Sequence, residues 1–95
     1  MQIGQINYAR PSEPVEFKDV EYILTMAGKD VIKIAWSRLN PNSSNEINES
    51  LEHFFESFFN LKEGEGRECT KLLSKLNLLK IDRRSYTNYY SPTFK

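Results

Sequence analysis

The chain has 95 residues and a formal charge of zero, with 13 Lys or Arg balancing 13 Asp or Glu. That length holds one domain with a core a few side-chain layers deep, which excludes a deep substrate pocket. Hydrophobic residues at 39% and aromatics at 13%, with four Pro and four Gly, exclude a disordered composition.

The charge is sorted along the chain. Residues 1–61 carry five Lys or Arg against nine Asp or Glu, and residues 62–95 carry eight against four. A general nucleic-acid coat is therefore not expected, while a local basic surface is. No apolar run approaches the ~18 residues that cross a bilayer, and no basic-then-apolar leader opens the chain. With Cys69 as the single cysteine, these features predict a cytoplasmic protein without membrane contact, a single domain over residues 1–95. Two Asn-x-Ser matches, at Asn42 and Asn48, are then chance.

Residues 1–14, with Pro11 and Pro14, predict an extended arm or a short edge strand. Residues 19–39 admit two readings. A helical wheel groups Val20, Ile23, Leu24, Ala27, Val31, Ile34 and Ala35 but leaves Tyr22, Met26, Ile32, Trp36 and Leu39 outside that stripe, and it places Gly28 mid-helix. A hairpin turning at 27–30 puts Val20, Tyr22, Leu24 and Met26 on one face and Ile32, Ile34 and Trp36 on another. It accounts for more of the large side chains and is preferred.

Ser43-Ser44-Asn45-Glu46 fits a capping box and opens a helix to residue 61. Ile47, Leu51, Phe54, Phe55, Phe58, Phe59 and Leu61 share one side of it, and Glu49, Glu52, His53, Glu56 and Asn60 the other. Gly64-Glu65-Gly66 breaks the chain, and a second helix follows over 67–78. It buries Cys69, Leu72, Leu73 and Leu76 and shows Arg67, Lys71 and Lys75 outward. Residues 78–95 predict a Tyr-rich strand or hairpin closed by Ser91-Pro92. The fold expected is α+β: an N-terminal hairpin on two antiparallel helices with a C-terminal strand or hairpin. A mostly α, winged-helix-like arrangement is the alternative.

Chemistry-bearing patterns are sparse. Glu49, His53 and Glu56 have helical ligand spacing but supply one imidazole and no Cys, and His53 with a carboxylate has no nucleophile or oxyanion donor beside it. Cys69 falls on an apolar stripe, the place of a packed thiol rather than a nucleophile. Glu63, Glu65 and Glu68 around the Gly-Glu-Gly link would repel phosphate. No Walker, dinucleotide, zinc or Gly-x-Ser-x-Gly pattern occurs. No enzyme activity, cofactor or metal is expected.

Two binding surfaces remain. The first joins Glu49, Glu52 and Glu56 with Phe55 and Phe59, an acidic, Phe-rich helix suited to a protein partner or a second copy of the chain. The second is basic and Tyr-rich: Arg67, Lys71, Lys75, Arg83, Arg84, Tyr86 and Tyr89 suit phosphates and bases. Residues 72–84, preceded by the helix at 46–61, loosely resemble the recognition helix and wing of a winged helix-turn-helix domain, although the acidic link at 62–66 is longer than the usual turn. The zero net charge favours the first, a protein-binding module, inhibitor or accessory subunit. A nucleic-acid-binding regulator is the alternative.

Overall fold

A computed structural model describes residues 16–39 and 45–94. The elements are helix α1 (Phe17–Leu39), helix α2 (Ser50–Phe59), helix α3 (Glu65–Lys75), strand β1 (Leu79–Arg84) and strand β2 (Thr87–Pro92). The class is α+β, with three helices and one two-stranded antiparallel sheet among the described residues. The arm expected at 1–14 and the linker with Ser43 lie outside them.

The N-terminal hairpin is not formed: residues 17–39 are helical, with a kink at Ala27 (φ −135°, ψ 27°). The buried stripe Val20, Leu24, Gly28, Val31, Ile32 and Ala35 recurs every three or four residues straight through the kink. The hairpin reading accounts for more of the large apolar side chains only if Tyr22 and Met26 are inside. Tyr22 and Met26 are instead 68% and 69% exposed. Gly28 is no turn residue either. A Cβ there would meet Leu78 Cδ1 at 2.9 Å and Leu73 Cδ2 at 3.0 Å, so the missing side chain lets α1 press onto the end of α3.

Helix α2 starts later than the capping-box pattern predicts. Glu46 pairs with Arg84 at 2.6 Å instead of capping. Ile47 forms a one-residue bridge to Tyr90, exchanging backbone hydrogen bonds of 2.9 and 2.7 Å. The Asn48 side chain then accepts from Ser50 N–H at 2.9 Å, and the helix begins. It ends on Asn60 in the left-handed conformation (φ 56°), with Leu61 N–H bonded back to Glu56 O at 2.8 Å.

One helix end and one hairpin carry the remaining geometry. Helix α3 ends before Asn77 (φ 63°), where Leu78 N–H returns to Leu73 O at 2.9 Å and frees the chain to extend. β1 and β2 pair from Leu79↔Pro92 to Arg84↔Thr87, so Leu79, Ile81 and Arg83 share one face with Asn88 and Tyr90. The core gathers Leu24, Ile32, Leu51, Phe55, Leu73 and Tyr90 between α1, α2, α3 and this face. Phe55 is fully buried, whereas Phe58, expected beside it, is 37% exposed and lies under Arg38. Helix α2 is rolled toward Glu52, because that carboxylate has a partner inside.

Candidate functional site

Helices α2 and α3 meet at almost no distance. A Cβ at Gly66 would lie 1.9 Å from Glu52 O, so only glycine permits this crossing. The contact organises a polar network. Glu56 Oε2 accepts from the N–H groups of Gly64 (2.7 Å) and Gly66 (3.0 Å), so an internal carboxylate occupies the start of α3 where an anion would sit. Glu52 is 7% exposed, accepts from the Tyr90 hydroxyl and lies 3.6 Å from Arg67 Nε. Burial, then the hydrogen bond to Glu52, raises the Tyr90 phenol above its ordinary range, while hydrogen bonds with Thr70 and Asn88 work the other way.

The acidic, Phe-rich surface is thereby divided. Phe55 is core, Phe59 is partly buried against it, and Glu52 and Glu56 are held in the network. Glu49 stays at the rim of an open groove of about 540 Å³ between α2 and α3, with Glu63, Glu68 and Lys71. His53 Nδ1 lies 3.5 Å from Glu56 Oε1. Among the described residues no three His, Cys, Asp or Glu side chains are placed to hold a metal ion. Cys69 is fully buried, and its thiol pKa is pushed up from 9.0 to about 12, by burial first and then by Glu65, Glu56 and Glu68.

The basic residues are sorted just as clearly. On α3, Arg67, Lys71 and Lys75 are exposed, with Arg67 paired to Glu52 and Lys71 within 3.6 Å of Glu68. Arg84 is an anchor for the hairpin: it bonds Glu46, lies 3.2 Å from Asp82 and covers the Tyr89 ring at 4.2 Å. The Glu46 hydrogen bond is the largest of the influences that raise its guanidinium above its ordinary value. Arg83 has only Asn88, at 3.4 Å, among the described residues. Of the basic residues singled out from the sequence, Lys75 has no ion pair among the described residues, Lys71 has only the exposed one with Glu68, and Arg83 only the Asn88 contact. Each is on α3 or on the sheet face that packs toward the helices.

The turn that joins the strands is unusual in composition. Ser85 (φ 51°) and Tyr86 (φ 67°) both take left-handed backbone, the geometry of a two-residue hairpin loop for which Asn-Gly is the favoured pair. An aromatic residue there is strained, and Tyr86 is 88% exposed, so packing does not compensate. Sequence reasoning singled out Tyr86 and Tyr89 alike. Tyr86 is presented at the tip and Tyr89 is under Arg84. It missed Tyr90, whose signal is only its two-residue offset from Asn88 on the inner face of β2.

No helix of the described residues is long and apolar enough to cross a membrane. Compared with known proteins, the chain matches no family model, no curated protein and no solved structure.

Proposed function

We propose that the chain is a nucleic-acid-binding domain of the winged helix-turn-helix kind, with α3 as the recognition helix and β1–β2 as the wing. The observation that carries this is the element order: helix, one-residue strand, helix, helix, hairpin, with Ile47 bridging to the second hairpin strand. In helix-turn-helix proteins the second helix of the pair enters the major groove and its outward side chains meet bases and phosphates. Here those side chains are Arg67, Lys71 and Lys75, continued by Arg83 and the exposed Tyr86. The link at 60–64 exceeds the usual three- to four-residue turn, and its Glu63 lines the α2–α3 groove.

Charge decides which part of the surface takes the ligand. The α2–α3 groove, with Glu49, Glu63 and Glu68 at its rim, repels a polyanion. Contact therefore runs through the C-terminal end of α3 and the wing, with Lys75, Arg83 and Tyr86, and reaches Lys71 only where α3 borders the groove. A protein-binding role through the acidic helix has less support, because Phe55 is internal and Glu52 and Glu56 are committed to the fold. Its remaining basis is the same acidic groove, which suits a basic protein.

The test is a titration of labelled duplex against salt. Three phosphate contacts give a log–log slope of about −2.7, a loss of roughly 40-fold between 50 and 200 mM salt. Binding that does not change with salt, or no binding at 50 mM, removes the proposal. Capture of a basic protein instead would restore the acidic-helix role.

A further inference from the structure

We propose that α1 is the interface of a homodimer, in which two copies pack antiparallel across a two-fold axis at Met26. Six large apolar side chains are exposed among the described residues, and four of them, Tyr22, Ile23, Met26 and Ile34, are on this one helix. Its inner stripe, Val20, Leu24, Gly28, Val31 and Ala35, is committed to the core. The outward stripe half a turn away is Asp19, Tyr22, Met26, Asp30 and Lys33, all exposed. The inner stripe keeps its phase through the kink at Ala27, so the outer one does too.

The occupant follows from how charge is arranged around Met26. In a two-fold contact residue i of one copy meets residue j of the other, and j meets i. Antiparallel packing about Met26 pairs positions equally distant from it. Asp19, seven residues before, meets Lys33 of the partner copy, seven residues after. Tyr22 meets Asp30 of the partner copy, a phenol donor facing a carboxylate acceptor. Met26 meets itself, with Ile23 flanking the apolar centre. Each polar pair occurs twice, and Asp19, Asp30 and Lys33 have no ion-pair partner among the described residues. Parallel packing would set Asp19 against Asp19 and Lys33 against Lys33, so the charges select the antiparallel arrangement. One helix face from each copy is a small interface, and association is concentration-dependent. The dimer stands or falls apart from any nucleic-acid ligand, since it is measured in its absence.

Sedimentation equilibrium of the full chain across about two decades of concentration reads the outcome. The mass is expected to rise from 11.1 kDa toward twice that value. Met26→Glu abolishes the rise. Asp19→Lys and Lys33→Glu each weaken association by about tenfold or more, and the double variant restores it. All are surface changes, and unchanged circular dichroism confirms that they fold. A monomer at every concentration, a dimer indifferent to Met26→Glu, or a double variant no better than the singles overturns the proposal.

Discussion

Replacing Gly66 by Ala places a methyl group where α2 already is. The added Cβ lies 1.9 Å from Glu52 O and 2.7 Å from the carbonyl carbon. Carbon–oxygen contacts normally begin near 3.3 Å, so the helices must part by about 1.4 Å. Parting them stretches the 3.0 Å bond from Gly66 N–H to Glu56 and draws Glu52 away from Tyr90. Overpacking costs about 1–3 kcal/mol, and a strained hydrogen bond to a carboxylate adds about 1.5–3. The helix propensity of Ala returns about 1 kcal/mol. The expected net loss is about 2–5 kcal/mol, a large share of the ~5–15 kcal/mol that stabilises a domain. Gly28→Ala is the control, because its Cβ meets only the movable tips of Leu73 and Leu78 and the net change should stay within about 1 kcal/mol. Urea melts of both variants, fitted with a common slope, read the difference. A Gly66→Ala protein within about 1 kcal/mol of the parent would refute the close crossing of α2 and α3.

Three further outcomes follow from the same geometry. Phe55→Ala should cost about 3–5 kcal/mol in urea melts, while Phe58→Ala, at 37% exposure, should cost about 1–2; equal costs would mean that α2 is rolled differently. Stability should fall above pH 9, because the folded chain keeps the Cys69 proton until about pH 12 whereas the unfolded chain releases it. The slope is about 1.4 kcal/mol per pH unit, and Cys69→Ala should lessen it, leaving the smaller loss due to Tyr90. Replacing Ser85-Tyr86 by Asn-Gly should raise stability by about 1–2 kcal/mol while weakening nucleic-acid binding; a gain in both would remove Tyr86 from the contact surface.

Local pattern revealed the elements whose burial is decided locally. The helical period around Leu51 and Phe55, the Gly-rich break and the Tyr-rich composition of the last third predicted the end of α2, both bounds of α3 within a few residues, and a strand or hairpin after it. Helix α1 was missed because Tyr22 and Met26 face outward, and nothing within residues 19–39 says that two such large side chains lack an internal neighbour. The start of α2 was missed for a related reason: Ile47 is claimed by Tyr90, and Glu46 by Arg84, each far along the chain. The same distance hid the division of the site. Glu52 and Glu56 read as a solvated acidic face until Tyr90 and the Gly64–Gly66 backbone are brought against them. Arg83 and Arg84 look equivalent in sequence, yet opposite faces of one strand make one available and the other an anchor.

The most direct test of the nucleic-acid reading reverses charge on the two surfaces separately and measures duplex affinity by fluorescence anisotropy at fixed low salt. Lys75→Glu with Arg83→Glu removes two of three expected contacts and should weaken binding by well over tenfold, with the salt slope falling toward about −0.9. Glu49→Lys with Glu63→Lys, on the groove rim, should leave the fold intact and strengthen binding. Loss of binding on reversal of the groove carboxylates, with no effect at Lys75 and Arg83, would contradict the assignment of α3 and the wing as the contact surface.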